Sequence, residues 1–209
     1  TLALIGVNHK TAPIELRERI AISRDELPET TRALGEVHGV NECMIVSTCN
    51  RVELIASIDP ANTDLIEFLH RRFGIATAEL VPHVYEHRDQ EAVRHLFRMA
   101  ASLDSMVVGE PQILGQLKSA YVVAKREGAV SGLLEGLLTR AFSVAKRVRT
   151  ETEIGVSAVS VSFAAVELAR EIFGSLKERS IMLIGAGKMS EAAARHLARN
   201  GVSRIFVTN

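Results

Sequence analysis

Residues 47–53 read Ser-Thr-Cys-Asn-Arg-Val-Glu, which sets a hydroxyl, a thiol, an amide and a guanidinium side by side at Thr48, Cys49, Asn50 and Arg51. A thiol of ordinary pKa near ~8.5 is only a few per cent thiolate at neutral pH, and a neighbouring cation raises that reactive fraction. Cys49 is therefore a candidate nucleophile, and Arg51 a candidate receptor for a carboxylate or phosphate. The other cysteine, Cys43, heads the apolar run Met44-Ile45-Val46 and reads as core packing. A second concentration of polar groups lies at 102–116, with Asp104, Ser105, Glu110, Gln112 and Gln116. Carboxylates and amides of this kind suit a zwitterionic amino acid, although polar helix faces are more often simply solvated. His95 is a candidate for moving a proton or positioning a substrate. It lies about 200° around its helix from Val93, off the apolar stripe, which by itself reads first as a solvated surface histidine.

A third group is Gly185-Ala186-Gly187-Lys188-Met189-Ser190. Gly185 permits a tight turn, Gly187 lets backbone approach a pyrophosphate, and a helix N-terminus following them offers free N–H groups. Where the next strand would end, an acidic residue often holds a ribose 2′-hydroxyl; this chain has Asn209, which favours NADP over NAD.

Several elements must position these groups. Residues 1–7, 42–48, 52–58 and 83–87 read as strands, with Cys49 between the second and third. Ser23 and Glu26 have capping-box spacing for a helix to about His38, in which Pro28 makes the start uncertain. Residues 61–73 form a helix ended by Gly74. The order β-α-β-β-α-β matches a ferredoxin-like unit, in which two helices cover one face of an antiparallel sheet. From Asp89 the period becomes 3.6, with Val93, Leu96, Phe97 and Ala100 on one stripe. Four helices are expected, over about 89–100, from Pro111 to about Ala124, 131–149 and 157–173. A strand at 181–184, the glycine turn, a helix to about Arg199 and a strand at 204–208 make one β-α-β unit, the start of a longer nucleotide domain.

The fold class expected is thus α/β, with a ferredoxin-like part at 1–88, a helical part of the same domain at 89–154, a linker helix at 155–179 and the beginning of a Rossmann unit at 180–209. The 209 residues are 47% hydrophobic, ample for a core. Twenty-five basic residues balance twenty-five acidic ones, so any RNA contact must be local, and Arg140, Lys146, Arg147 and Arg149 near Glu151 and Glu153 read first as a self-paired helix face. Two cysteines six apart fit neither a zinc quartet nor a disulfide framework, which points to a reducing cytoplasm and no metal. The longest charge-free run, 154–166, is below the ~18 residues of a membrane helix.

Together Asn8-His9-Lys10-Thr11-Ala12-Pro13, Ser47 to Glu53, Leu103 to Gln116, Ala145 to Thr152 and Ile184 to Met189 resemble glutamyl-tRNA reductase, the NADPH-dependent enzyme that makes glutamate-1-semialdehyde from glutamyl-tRNA(Glu) at the start of tetrapyrrole synthesis. The resemblance implies Cys49 as nucleophile and His95 as a catalytic helper. It assigns Thr48, Asn50, Arg51, Ser105, Glu110, Pro111, Gln112 and Gln116 to the glutamyl site, and Gly185, Ala186, Gly187, Lys188, Met189 and Ser190 to NADPH. It further implies hand-over of the aldehyde to glutamate-1-semialdehyde aminomutase, and a homodimer formed through a C-terminal domain absent here. Other readings are a chain retaining esterase activity alone, a thiol-dependent aldehyde dehydrogenase, and a non-catalytic amino-acid or RNA-binding protein with a nucleotide-sensing unit.

Overall fold

The computed structural model describes residues 1–155 and 161–208. Strands β1 (Leu2–Asn8), β2 (Val40–Ser47), β3 (Arg51–Ile58) and β4 (Tyr85–Arg88) form one antiparallel sheet in the order β2-β3-β1-β4. Helices α1 (Ile14–Arg19) and α2 (Leu27–Gly35) precede β2, while α3 (Leu65–Phe73) and α4 (Thr77–Leu80) precede β4. That is the β-α-β-β-α-β order expected, with α1 and α4 added.

The helices after Asp89 pack on the sheet itself: α5 (Asp89–Ala100), α6 (Gln112–Arg126) and α7 (Leu133–Glu151) cover its second face, so the sheet has helices on both sides. Leu2, Leu4, Met44, Val46 and Ile55 pack against them, whereas Ala3, Ile5, Val7, Ile45 and Leu54 pack against the α1 to α4 side. A strand buried on both faces needs apolar residues at consecutive positions, and Met44-Ile45-Val46 supplies them.

Local chemistry fixes the helix ends. Ser23 and Glu26 make the expected capping box, the Ser23 Oγ donating to Glu26 Oε2 at 2.6 Å and accepting from Glu26 N at 3.3 Å, one turn ahead of α2. Asp64 Oδ1 accepts from Ile66 N and Glu67 N, both at 2.9 Å, so α3 starts there rather than at 61, and Gly74 ends it at φ +64°.

The start of α7 is capped from a different element. Glu42 on β2 accepts from Ser131 N at 2.9 Å, Gly132 N at 2.6 Å and Leu134 N at 3.1 Å. Burial pushes its carboxyl up, but the N–H groups of Gly132, Ser131 and Leu134 outweigh burial and hold it below the ordinary range. Glu42→Ala leaves those N–H groups unpartnered and should cost about 1–3 kcal/mol, a thermal shift on the order of 2–10 °C. Because the folded value is depressed, this stabilisation is present above the unfolded carboxyl pKa of ~4.3 and is lost as pH falls through the folded value. Thermal melts from pH 7 to pH 3 should therefore converge for the two proteins; a gap that stays constant would deny Glu42 its charged capping role.

After the undescribed residues, which include 157–160 of the expected fourth helix, α8 (Val161–Phe173) precedes a parallel pair, β5 (Ser180–Ile184) and β6 (Arg204–Thr208), joined by α9 (Lys188–Arg199). Val166, Leu176 and Leu197 form its small core.

Candidate active site

Cys49 stands at the tip of the β2–β3 hairpin and is exposed, while Cys43 is buried with its Sγ 3.5 Å from Thr31 O. Burial pushes the Cys43 thiol up to about 12, which leaves it inert at neutral pH. Thr48 builds the turn: its N–H donates to Arg51 O at 2.8 Å, and its hydroxyl accepts from Asn50 N at 3.2 Å and Arg51 N at 3.1 Å. This is a hydroxyl-capped turn, in which the Thr48 side chain satisfies N–H groups two and three residues on. The loop after β1 holds the turn from outside, where His9 N–H donates to Asn50 O at 2.9 Å and Arg17 Nη1 to Cys49 O at 2.7 Å.

Thr48, Cys49, Asn50 and Arg51 meet Ser105 and Glu110 from the 102–110 loop, and Gln112 and Gln116 from α6, around one narrow cleft. Met106 and Ile113 give it an apolar portion. Ser105 Oγ is buried and has no hydrogen-bond partner among the described residues, which marks a place where a ligand's polar atom would be accommodated. Pro111 stands outside this lining, at the N-cap of α6.

His95 does not line the cleft either. Its Nε2 lies 3.1 Å from Glu53 Oε1, its ring stacks on His87 with centroids 4.9 Å apart, and Tyr85 tilts against it at 5.5 Å. The solvated alternative for His95 is therefore corrected: β4 and Glu53 cover that side of α5, leaving the side chain 12% exposed. Glu53 itself is fully buried, and its Oε1 also accepts from Arg51 Nη1 at 2.7 Å and from the Tyr85 hydroxyl. Burial pushes this carboxyl up, but the His95 hydrogen bond, the Arg51 charge and the Tyr85 hydroxyl outweigh it and keep Glu53 below the usual range. Burial and then the Glu53 carboxylate push the Tyr85 phenol up, so the hydroxyl stays a donor.

Arg51 is 2% exposed, and Asp104 takes its other nitrogen: Nη2 donates to Asp104 O and, at 3.2 Å, to Asp104 Oδ2, whose partner oxygen holds Lys10 Nζ at 2.7 Å. Arg51, the candidate anion receptor, thus already has acceptors on both Nη1 and Nη2. Burying a guanidinium requires such partners.

The glycine turn takes the expected form. Gly185 has φ +96°, Gly187 is the N-cap of α9 with no side-chain cap, and a Cβ at Gly187 would meet nothing within 4 Å. Among the described residues no side chain crowds Gly187, and a helix N-terminus opening on such a glycine has the form of a pyrophosphate cradle. The turn adjoins the cleft, since Gln112 Nε2 lies 3.3 Å from Met189 Sδ, and Ser162 Oγ donates to Met189 O at 3.0 Å. The choice of NADP over NAD rests on Asn209, which lies outside the described residues.

Sequence reasoning missed Glu53 as the hub, along with Tyr85, Lys10 and Arg17. The signal for Glu53 was a carboxylate in the middle of an apolar strand.

The chain is similar to known proteins along nearly all of its length. Residues 5–152 match the family model described as glutamyl-tRNAGlu reductase, N-terminal domain, and residues 167–209 match that of shikimate / quinate 5-dehydrogenase. Glutamyl-tRNA reductase 2 of Koribacter versatilis is 58% identical over 99% of this chain and 47% of its own length. Glutamyl-tRNA reductase of Solibacter usitatus is 57% identical over 100% of this chain and 50% of its own length. The solved structure of glutamyl-tRNA reductase from Methanopyrus kandleri superposes with a TM-score of 0.66 at 35% identity, covering 99% of this chain and 48% of that one. The chain spans about half the length of the curated relatives it matches.

Proposed function

The chain belongs to the glutamyl-tRNA reductase family, and from that premise we propose that its cleft captures the glutamyl group of glutamyl-tRNA(Glu) on Cys49, the first half of an NADPH-dependent reduction to glutamate-1-semialdehyde. The observation that carries this reading is the exposed thiol of Cys49 at a hydrogen-bonded turn, on a cleft whose other walls are amides, hydroxyls, one guanidinium, one carboxylate and the apolar Met106 and Ile113.

The Cys49 thiolate attacks the ester carbonyl, the bond to the ribose oxygen breaks, and that oxygen leaves as a hydroxyl after taking a proton. A glutamyl thioester remains. A thioester accepts hydride far more readily than a carboxylate, so covalent capture divides one difficult reduction into two easier steps. Gly185, Ala186, Gly187, Lys188, Met189 and Ser190 would hold NADPH, which would supply the hydride for reducing the thioester to the aldehyde with release of the Cys49 thiolate. Thr48, Asn50, Arg51, Ser105, Glu110, Gln112 and Gln116 are proposed to orient the glutamyl group. Pro111 supports them by starting α6, and His95 acts through Glu53 on Arg51.

Residues 1–88 and 89–154 then form the catalytic part, 155–179 the link and 180–209 the start of the nucleotide-binding part. The aminomutase as recipient, a homodimer and a cytoplasmic location belong to the same proposal. Among the described residues no helix is long and apolar enough to cross a membrane.

Incubation with glutamyl-tRNA without NADPH, acid quenching and peptide mass mapping should find a glutamyl adduct on the peptide carrying Cys49. An adduct on Cys43, or none, would sink the proposal.

A further inference from the structure

Arg51 holds two carboxylates that differ in how easily each can leave. Glu53 is fully buried, and Oε1 receives Arg51 Nη1, the Tyr85 hydroxyl and His95 Nε2, with nothing to replace Arg51 if that contact breaks. Asp104 is 14% exposed; its main-chain O keeps a short contact to Arg51 Nη2, while its Oδ2 contact to the same nitrogen is long at 3.2 Å and its other carboxylate oxygen is already held by Lys10, which is 56% exposed. The loop bearing Asp104 is closed at its base, where Gly109 N–H donates to Ser102 O at 2.9 Å and Ser102 Oγ to Glu110 O at 2.7 Å. A swing of the Asp104 side chain alone therefore leaves the loop closed and its main-chain contact to Arg51 in place.

We propose that Asp104 is a specificity-determining residue: it holds the Arg51 position that a substrate side-chain carboxylate takes, and it yields that position only to another anion, falling back on Lys10. The proposal rests on the reading of the cleft as a glutamyl site. An incoming carboxylate exchanges one charge-assisted pair for another at Arg51 Nη2, and Ser105 Oγ, buried in the same wall without a partner, becomes available as a donor to it. A neutral amide side chain would have to exchange an ion pair for a hydrogen bond charged on the Arg51 side alone, which displaces Asp104 less readily. Discrimination thus comes from what must be displaced as well as from what is gained.

The test is capture on Cys49 in the whole protein, read by mass, with glutamyl-tRNA and glutaminyl-tRNA as parallel substrates. Asp104→Asn should lower the half-saturating concentration of glutamyl-tRNA several-fold and reduce the preference for it over glutaminyl-tRNA by roughly ten-fold. A merely structural role for Asp104 would raise the half-saturating concentration instead. Lys10→Met should weaken glutamyl capture several-fold in the parent protein and have no effect in the Asp104→Asn background, since the fallback partner then has nothing to hold. Unchanged preference in Asp104→Asn, or a Lys10→Met effect that persists in that background, would overturn the proposal. No adduct in the parent protein would remove the glutamyl-site reading beneath it.

Discussion

Cys49→Ser should abolish thioester capture and lower turnover of glutamyl-tRNA by roughly three to six orders of magnitude, the range seen when a covalent nucleophile is removed. A serine hydroxyl at the turn tip is far less ionised than a thiol, and the described side chains around Cys49 include no base bonded to it, so the replacement inherits no activation. Stability should change by less than about 0.5 kcal/mol, because Cys49 is exposed and the turn is held by Thr48, Arg17 and His9 through backbone atoms. Cys43→Ser reverses the pattern: it puts a hydroxyl where a buried thiol packs, lowers the melting temperature and leaves capture on Cys49 in place. Rapid-quench measurement of ester loss beside thermal melts checks both variants. Undiminished capture by Cys49→Ser would move the nucleophile elsewhere.

Much of this site was legible because its parts are close in sequence or lie on one helix. Thr48 to Arg51 are consecutive, Gln112 and Gln116 are one turn apart, and the unbroken apolar runs marked the strands. Those runs carried a further signal. Strands without alternation are buried on both faces, so the helices after Asp89 had to form a second cover over the sheet. The environment of Arg51 was half legible, since residues two apart on a strand share a face, and Arg51 and Glu53 are such a pair. Tyr85, His95 and Asp104 lie 32, 42 and 53 residues from their partners in this network, joined by sheet pairing and by packing of α5, and no local spacing announces contacts of that range. The same distance explains His95. Its angle on the helix places it off the apolar stripe, but the side it faces is covered by β4.

Glu53→Ala should be among the most damaging single changes, costing about 3–5 kcal/mol, because it leaves the buried Arg51 guanidinium short of a counter-ion and strips the Tyr85 hydroxyl and His95 Nε2 of their acceptor. The backbone around it has little means of closing the gap. Gly6 lies opposite Glu53 in the sheet, and even a methyl group there would come within 2.8 Å of Glu53 Cγ and 2.4 Å of Val52 O, so that position has room for glycine alone. Glu53→Gln is the sharper probe. It keeps the volume and one acceptor while removing the charge, so it separates the ion pair from packing. The sign with pH is set by the depressed carboxyl: the stabilisation from charged Glu53 is present above the unfolded value of ~4.3 and is lost as pH falls through the folded value. Parent and Glu53→Gln melts should therefore differ most at neutral pH and approach each other in acid. Because Arg51 lies between Glu53 and the cleft, the Gln variant should also lose capture of glutamyl-tRNA while Cys49 stays exposed to a small alkylating reagent. A variant as stable as the parent at pH 7 that captures substrate normally would show that the buried pair neither holds the fold nor sets Arg51.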